Sequence, residues 1–339
     1  MRQGRTYSIA LVGATGIIGR EILSILEERE FPVGRLKLFA SEKSEGEVLE
    51  FHSAEVPVSR LKQGVFKEVD LTFFSAGPTS SQEFAPEAVR EGAIVIDTSN
   101  AFRMDPFVPL VVPEVNRQAL LDHRGIIASP RSSTIQLVLI LKPLHDAARI
   151  KRIVVSTYQA VSDTGRRGVE ELDQQIRDLF NFHDVTIDVF PHQIAFNCLP
   201  QCGVPLENDY TEEEVGIANE TKKIMGDDRM ALTATTATIP VFYGDSESVN
   251  IETERKLSAH EVRLLLAQAP GIAVVDHLAR VQYPQSLHTV GTDKVFVGRI
   301  REDHSVEHGV NLWIAADNLR KGGALNAVQI AEALLLEKL

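Results

Sequence analysis

Cysteine, long apolar runs and positive charge are all scarce in this chain. Only two cysteines occur, Cys198 and Cys202, and proline lies between them, so we expect free thiols rather than a disulfide framework or a redox pair. His192 is the one nearby candidate for a further metal ligand, and no metal site is predicted. No segment reaches the ~18 apolar residues of a membrane span, and the first apolar segment is too short for a signal peptide. We therefore predict a cytoplasmic protein with no membrane partner.

The charge balance argues against nucleic acid as a partner. Lys and Arg number 35 against 47 Asp and Glu, which gives a net charge of −12 without a compensating basic patch. The remaining composition is that of a globular protein, with 44% hydrophobic and 24% charged residues. A length of 339 residues predicts about two domains.

A glycine-rich turn follows the first predicted strand, Tyr7–Val12, and precedes an amphipathic segment. Strand, glycine turn and helix in this order are typical of a dinucleotide-binding fold. Gly13 would make the tight turn, Gly16 would admit the pyrophosphate, and Gly19 would let the helix pack on the strand. The spacing differs from the usual GxGxxG, so a tight turn without a ligand is the alternative.

The second predicted strand, Leu36–Ala40, ends where an NAD enzyme would place an acidic residue on the ribose. This chain has the hydroxyl of Ser41 and the cation of Lys43 there, which suit the 2′-phosphate of NADP. Several glutamates surround Lys43 in sequence, so the alternative is a solvated charged loop. Two further strands, Val69–Phe74 and Ala93–Asp97, extend the predicted parallel sheet.

The segment 126–146 contains an apolar strand, a turn with Pro130 and an apolar helix. A strand-to-helix turn aims its first hydroxyls and backbone N–H groups into one cleft, so Ser132 or Ser133 is the candidate nucleophile. No histidine lies in the turn to serve as its base. Any base must therefore come from elsewhere in the fold.

A second, mixed α+β domain is predicted after this helix, because longer alternating strands follow. The predicted boundaries are 1–131 with 317–339 for the dinucleotide-binding domain and 132–316 for the second domain. A Thr-x-x-Glu capping box at Thr211 predicts a helix start, and the last helix is predicted from Asp317. The predicted strands of the second domain are Arg152–Val161, Leu232–Val241, Ser246–Glu254, Lys294–Arg301 and Gly309–Ala315.

The segment Ser129–Gln136 resembles the active-site turn of the aspartate-semialdehyde dehydrogenase family, which reads Asn-Pro-Asn-Cys before Ser-Thr-Ile-Gln. The resemblance extends over 13–339 and includes a specific final segment, Asp317–Glu332. It implies a fold like that of glyceraldehyde-3-phosphate dehydrogenase. This fold has a Rossmann-type dinucleotide-binding domain and an α+β dimerisation and substrate domain. The implied reaction is the reversible phosphorylating oxidation of aspartate semialdehyde with NADP.

The resemblance also implies roles at particular positions. Ser132 stands where the family has its nucleophilic cysteine, Asp245 stands where it has its acid–base histidine, and Gln159 matches the glutamine that orients the substrate. Other family side chains are missing: Thr238 replaces an arginine, Gly216 a lysine and Asp163 a glycine. The implied substrate-binding residues are Arg103, Glu213 and Arg131, the last being a new cation. The implied cofactor-binding residues are Gly13, Thr15, Gly16, Ile17, Ser41, Lys43, Ser75, Ala76, Gly77, Asn100 and Asn326.

Two functional hypotheses follow. The first is a catalytically degenerate, Usg-like paralogue that keeps the fold and a weak or lost NADP site. The alternative is an oxidoreductase for a different aldehyde or acyl substrate, with a non-thiol mechanism based on Ser132, Arg131 and Gln159.

A homodimer is also predicted, through a sheet face of the second domain rich in Ile, Val, Thr and Phe. The competing expectation is that helices Gly168–Phe180 and Ser258–Gln268 cover that face within one chain.

Overall fold

The structure, a computed structural model, describes residues 4–337 of the chain. Two compact units are present: the first is Met1–Arg131 with Gly323–Leu339, and the second is Ser132–Gly322. Each unit has its own β-sheet with helices packed against it. Among residues 4–337, no helix is both long enough and apolar enough to cross a membrane.

The first unit contains a seven-stranded sheet, and every neighbouring pair of strands but one is parallel. The strands are β1 (Tyr7–Val12), β2 (Val33–Ala40), β3 (Val48–Phe51), β4 (Ala54–Arg60), β5 (Leu71–Phe74), β6 (Ile94–Asp97) and β7 (Ile126–Ala128). Their order is β3-β4-β2-β1-β5-β6-β7, so the connections leave β1 towards opposite sides of the sheet. Ligands of open α/β sheets bind at such a point, outside the carboxyl ends of the strands. The predicted Rossmann-type fold is confirmed.

Helices cover both faces of this sheet and bury its apolar strands. The helices are α1 (Ile17–Glu28), α2 (Pro78–Arg90), the short α3 (Pro113–Asn116) and the C-terminal helix (Leu325–Glu337). Helix α1 buries Ile22, Leu23, Ile25 and Leu26 in one cluster with Leu11 of β1. All four residues of β5 are buried, as expected for a parallel strand covered on both sides.

The antiparallel pair of the first unit, β3 and β4, was not predicted from the sequence. The two strands pair from Val48 opposite Pro57 to Phe51 opposite Ala54. The two residues between them, His52 and Ser53, both have positive φ, at 49° and 60°. This is the backbone of a tight two-residue hairpin turn, which usually carries Asn or Gly. The ordinary turn residues are absent, so the hairpin gives little signal in the sequence.

The second unit contains a six-stranded mixed sheet. Its strands are β8 (Ile150–Gln159), β9 (Ala231–Thr238), β10 (Asp245–Thr253), β11 (Ile272–Val274), β12 (Val295–Asp303) and β13 (Gly309–Ala316), in the order β11-β12-β13-β10-β8-β9. Its helices are α4 (Ser132–Ala148), α5 (Arg166–Phe180), α6 (Glu212–Met225), α7 (Ala259–Gln268) and α8 (Ser286–Thr289). The capping box predicted at Thr211 is present, because the Thr211 hydroxyl accepts from Glu214 N at 3.2 Å. The predicted α+β second domain is confirmed.

One face of this second sheet packs against helices α4, α6 and α7, and it holds the apolar side chains. Val155, Val249 and Leu312 lie in register there and are buried. Because side chains alternate between faces, the residues between them point to the other face. That face carries Ser156, Ser248 and Trp313 in register. This open face also carries Val154, Thr233 and Phe296. The expectation that it is rich in Ile, Val, Thr and Phe stays a prediction.

The predicted start of the last helix at Asp317 is also wrong. The segment Arg320–Ala324 is π-helical, and the α-helix begins only at Leu325. Gly322 N donates to Asp317 O at 3.0 Å, which closes a turn wider than an α-helical one. A Cβ on Gly322 would stand 2.5 Å from Cβ of Ser132, so only glycine fits beside this serine. The wide turn therefore brings backbone close to a candidate site residue.

Candidate functional site

Ser132 is the first residue of α4, a helix of 17 residues. Its half-buried hydroxyl donates to Oδ2 of Asp245 over 3.1 Å. The first N–H groups of an α-helix have no partner within the helix, and the positive end of the helix dipole lies there. Two of the predicted catalytic residues, 113 positions apart in the sequence, are therefore in direct contact.

Asp245, the first residue of β10, is completely buried. Its Oδ1 accepts a hydrogen bond from Ala160 N at 2.8 Å, and its carboxyl is also hydrogen-bonded to that of Asp163. Burial, and then the nearby charge of Asp163, raise the pKa of Asp245 well above its usual range. A hydrogen bond between two carboxyl groups requires a proton, because two carboxylates repel each other. The raised pKa therefore favours the protonated form of Asp245.

Asn318 fixes the second member of this carboxyl pair. Its Nδ2 donates to Asp163 Oδ1 at 2.6 Å and to Ser162 Oγ at 2.9 Å, and its Oδ1 accepts from Gly244 N at 2.9 Å. Solvent reaches Asp163, whereas Asp245 is fully enclosed. Surrounding protein atoms raise the pKa of Asp163, and the negative charge of Glu213 adds to the effect. The sequence places a negative charge at Asp163 where the family has a glycine, and the structure shows that this carboxyl group belongs to a hydrogen-bonded group.

Gln159 and Glu213, two further predicted site residues, meet at the other side of the α4 start. Gln159 is buried at the end of β8, and its Nε2 donates to Glu213 Oε1 at 3.3 Å. Glu213 lies in the first turn of α6, and the same oxygen is 3.5 Å from the hydroxyl of Ser133. Four predicted residues are thus gathered within the second unit, at the start of α4.

Cys202 lies in the same unit and was not predicted as a site residue. Its Sγ is 3.3 Å from Thr238 Oγ1, at the position where the family resemblance implies an arginine. Burial raises the pKa of the Cys202 thiol to about 11, and the charges of Glu213 and Asp163 contribute. The thiol therefore stays protonated near neutral pH and is a poor nucleophile. The backbone pairing of Leu199 with Thr238 positions Cys202 beside this threonine. Nothing in the sequence around Leu199 or Thr238 indicates that pairing.

The glycine turn of the first unit has the shape of a dinucleotide cradle. Gly13 has φ of +88°, and a Cβ there would stand 2.7 Å from the backbone of Ser75. A Cβ on Gly19 would stand 2.9 Å from Cα of Ala14, so α1 packs directly on the turn. Gly16, at the start of α1, is exposed and a Cβ there would meet only the Gly13 carbonyl, at 3.3 Å. The first backbone N–H groups of a helix have no partner within the helix and suit a phosphate, so the residues present fit a dinucleotide.

The loop after β2 holds the candidate residues for the 2′-phosphate. Ser41 and Lys43 are exposed, and the Thr15 hydroxyl donates to Ser44 Oγ at 3.3 Å, which joins this loop to the glycine turn. Two of the nearby glutamates have arginine partners: Glu42 lies 3.1 Å from Arg60 and Glu47 lies 3.5 Å from Arg20. The negative charge around Lys43 is therefore partly balanced, which the sequence alone did not show.

The remaining predicted cofactor residues are spread over the same edge of the first sheet. Ser75 Oγ donates to Val12 O at 3.0 Å and Gly77 precedes α2 with φ of +87°. Asn326 is completely buried, and its Nδ2 donates to Val111 O at 3.0 Å and to Ser129 Oγ at 2.9 Å. Its contact with a cofactor stays a prediction. The half-buried Ile17, the exposed Ala76 and the exposed Asn100 lie at the ends of α1, β5 and β6.

The two predicted arginines of the substrate site both belong to the first unit. Arg103 Nε donates to Ser129 O at 3.1 Å and Nη2 donates to Thr98 O at 2.8 Å. Much of this guanidinium therefore binds the protein's own backbone. Arg131 is half-buried and immediately precedes Ser132. Within residues 4–337, no group of three His, Cys, Asp or Glu side chains is arranged to hold a metal ion.

Each of the two units matches a model of a known protein family. Residues 8–123 match the family model described as semialdehyde dehydrogenase, NAD binding domain. Residues 141–321 match the model described as semialdehyde dehydrogenase, dimerisation domain. The two-unit fold and its glycine cradle are thus those of semialdehyde dehydrogenases.

Individual relatives are similar over nearly the whole chain. The aspartate-semialdehyde dehydrogenase of Aquifex aeolicus is 51% identical and covers 98% of this chain and 99% of its own length. That of Bacillus subtilis is 44% identical, with 98% of each chain covered. The crystal structure of aspartate semialdehyde dehydrogenase II from Vibrio cholerae is 43% identical, with a TM-score of 0.96 over 99% of this chain and 100% of that one. The chain belongs to the aspartate-semialdehyde dehydrogenase family.

Proposed function

We propose that this protein is an aspartate-semialdehyde dehydrogenase homologue that no longer carries out the phosphorylating dehydrogenase reaction. One observation carries the proposal: the first residue of α4 offers a hydroxyl bound to a carboxyl group, Ser132 to Asp245 at 3.1 Å. The family resemblance implies a thiol and an imidazole at these positions. The similarity to named dehydrogenases supports the fold and ancestry, while the chemistry depends on these side chains.

The substituted groups are unsuited to the reaction for separate reasons. A serine hydroxyl ionises far less readily than a thiol, and its acyl ester is less reactive towards phosphate than a thioester. Thr238 and Gly216 supply no positive charge for an anionic substrate. The carboxyl groups of Asp163 and Asp245 instead add negative charge. The alternative of an oxidoreductase for another aldehyde gains no support from the relatives.

The purified protein is expected to show no detectable turnover of aspartate semialdehyde with NADP and phosphate. Loss of the nucleophile alone typically removes many orders of magnitude of rate. The measurement is NADPH formation at saturating substrate, with a family member that has the cysteine as positive control. A turnover within about tenfold of 10 per second, a typical enzyme value, would contradict the proposal.

The first unit belongs to an NAD-binding domain family, and we propose that its ligand is NADP. The exposed Ser41 and Lys43 support a 2′-phosphate contact, and Thr15 ties their loop to the glycine turn. When bound, the cofactor would supply a hydride acceptor. The residues proposed to hold it are those of the glycine turn, the loop after β2 and the ends of β5 and β6.

Two glycine variants separate packing from cofactor binding. Gly19→Ala is expected to destabilise the protein by about 1–3 kcal/mol, because its Cβ has no room beside Ala14. Gly16→Ala is expected to cost less than about 1 kcal/mol, since its backbone is extended and its Cβ would meet only the Gly13 carbonyl oxygen, at 3.3 Å. Its Cβ would instead occupy the approach of the pyrophosphate and weaken NADP binding at least about tenfold. Urea unfolding and calorimetry with NADP measure the two effects.

One result for the two glycine variants would contradict the proposed NADP site. If Gly16→Ala binds NADP as tightly as the parent, the turn does not carry the pyrophosphate. Lys43→Ala tests the 2′-phosphate contact in the same calorimetric experiment. It should weaken NADP binding and leave NAD binding unchanged.

We propose a homodimer formed through the open face of the second sheet. The residues of this unit match a dimerisation domain, and helices α4, α6 and α7 pack on the opposite face. The short helix α8 reaches the open face where Ser286 contacts Ser246. Tyr158 and Trp313 stack there with ring centres 5.4 Å apart, beside a cavity of about 460 Å³. Aromatic side chains such as these are enriched in interface cores. The cytoplasmic location stays a prediction.

Light scattering at micromolar concentration is expected to give twice the 37.4 kDa of one chain. Ser248→Arg places a long charged side chain in the middle of the proposed interface and should give the mass of one chain. Phe182→Arg changes a side chain that is 95% exposed and should leave the mass unchanged. A parent mass near 37.4 kDa would refute the homodimer.

A further inference from the structure

We propose that the second unit contains an internal water site, in which one bound water molecule joins Gln136 of α4 to Glu247 of β10 and Thr157 of β8. The inference goes beyond the proposed loss of the dehydrogenase reaction and does not depend on it. It rests on enclosed polar side chains whose hydrogen-bonding groups are unused. The site lies one helical turn beyond Ser132, so the bound water attaches that turn of α4 to the sheet.

The directions of α4 and β10 place Gln136 beside Glu247. At the start of both elements, the Ser132 hydroxyl contacts Asp245 Oδ2 at 3.1 Å. At their ends, the backbone N–H that follows β10 donates to the last carbonyl of α4 at 3.1 Å, so helix and strand run in the same direction. Four residues of helix advance about 6 Å, and two residues of strand advance about 6.6 Å. Gln136 and Glu247 are therefore the next residues along the same faces.

Thr157 joins this group from the neighbouring strand. It lies opposite Glu247 in the antiparallel pair of β8 and β10, where facing side chains have Cβ atoms about 4.5–5.5 Å apart. Thr236 of β9 follows in register with Thr157. Helix α4 packs on β8 and β10, and α6 packs on β9. A row of polar side chains thus crosses three strands beneath these two helices.

Every member of this row is buried, and its polar side-chain atoms are unpaired. Gln136 and Glu247 have no exposed surface, and Thr157 and Thr236 are buried as well. Within residues 4–337, neither amide atom of Gln136, neither carboxyl oxygen of Glu247 and neither threonine hydroxyl has a hydrogen-bond partner. Buried polar groups almost always have a protein or water partner, because an unpaired one costs free energy. Neighbouring groups that do not bond one another directly therefore indicate a bound molecule between them.

The chemistry of these groups suits water better than a metal ion. An amide offers donors and an acceptor, a hydroxyl offers both, and a neutral carboxyl group offers one donor and an acceptor. A buried water molecule makes about three hydrogen bonds to such groups. A cation would need an ionised Glu247, whereas burial raises the pKa of this carboxyl group well above its usual range. A water molecule gives Glu247 a partner and leaves it neutral.

High-resolution diffraction from crystals of the full-length protein tests the site directly. The electron density should show one water oxygen about 2.7–3.2 Å from the Gln136 amide, the Glu247 carboxyl group and the Thr157 hydroxyl. A direct hydrogen bond between Gln136 and Glu247, with no water between them, would overturn the inference. So would a region between these side chains that holds no density.

A double-mutant cycle tests the coupling independently of any crystal. Gln136→Leu should lower the melting temperature of the parent by about 3 °C or more, because the water and Glu247 lose a partner. In a Glu247→Leu background, the same substitution should leave the melting temperature unchanged or raise it. The Gln136 amide has then already lost its bridge, and apolar groups in place of both partners are nearly neutral.

The matched background is Glu252→Leu, on the same strand, whose carboxylate lies 3.1 Å from Lys151 Nζ. Gln136→Leu should keep its full effect there, because Glu252 is not part of the row. Circular dichroism checks that each variant is folded. An equal effect of Gln136→Leu in the parent and in the Glu247→Leu background would show that no water couples the two side chains, and the inference would be wrong.

Discussion

A variant that carries S132C, G216K, T238R and D245H is expected to oxidise aspartate semialdehyde with NADP and phosphate at least about 1,000 times faster than the parent. The start of α4 already provides a helix N-terminus that lowers the pKa of a thiol. A histidine at the first residue of β10 would lie where Asp245 Oδ2 now contacts residue 132, at 3.1 Å. The two restored cations would offset the negative charge of Asp163 and Glu213. Stopped-flow recording of NADPH formation measures the gain.

The matched control carries the same substitutions except S132C and should stay at the parental rate, because no thiolate is present. Addition of D163G to the four substitutions should raise the rate further. Asp163 would otherwise pair with the new histidine and hold it as a cation, which cannot act as a base. If the parent is as fast as the four-substitution variant, the loss of function proposed for Ser132 is wrong.

The local elements of this fold could be predicted because each carries its signal within a few residues. The strand, glycine turn and helix at the start of the chain predict the dinucleotide cradle. The capping box of Thr211 and Glu214 marks the start of α6. The strand-to-helix turn at Ser132 is equally local. These signals depend on propensity and capping, which act over one or two turns of chain.

The β3–β4 hairpin was missed although it is local, because its turn lacks the usual Asn and Gly. Two other features depend on contacts that are distant in sequence. The π-helical turn at Arg320–Ala324 places Gly322 against Ser132, which lies 190 positions earlier. The set of residues on the outward face of the second sheet could not be predicted, because alternation alone does not say which face the helices cover. Only the packing of α4 against β8 and β10 decides it.

The candidate site also contains residues that the sequence could predict and a contact that it could not. Family resemblance placed Ser132, Gln159, Glu213 and Asp245 in one site, and the structure brings all four to the start of α4. The hydrogen bonds of Asn318 to Asp163 could not be predicted, because the two residues are 155 positions apart. That contact changes the chemistry expected of Asp163, since a carboxyl group fixed by an amide can orient its neighbour.

Glu247→Gln is expected to stabilise the protein at pH 8 by about 2 kcal/mol or more, because folding must keep Glu247 protonated at a pH far above its ordinary pKa of 4.5. Glu247 is completely buried on β10, opposite Thr157 and Ile314, on the helix-covered face of the second sheet. Among residues 4–337, neither of its carboxyl oxygens has a hydrogen-bond partner. Burial raises the pKa of Glu247 well above its ordinary value of 4.5.

The sign of the pH dependence follows from proton binding. Above pH 4.5 the unfolded chain loses the Glu247 proton, while the folded protein keeps it, so the folded state binds more protons. Stability therefore falls as the pH rises from 4.5 towards the raised pKa of the folded state. Glutamine has nearly the same shape and cannot ionise in either state. The stabilisation by Glu247→Gln should accordingly grow with pH and nearly vanish at pH 5.

Urea unfolding of parent and variant at pH 5, 6, 7 and 8 measures this difference in the free energy of unfolding. The matched control is Glu252→Gln, on the same strand, whose carboxylate is 26% exposed and lies 3.1 Å from Lys151 Nζ. Exposed pairs of this kind contribute only about 0–1 kcal/mol, so the control should show a small difference that does not increase with pH. A difference for Glu247→Gln that stays constant from pH 5 to pH 8 would mean that Glu247 is ionised in the folded protein. In that case the interior of the second sheet would have to supply a partner for its charge.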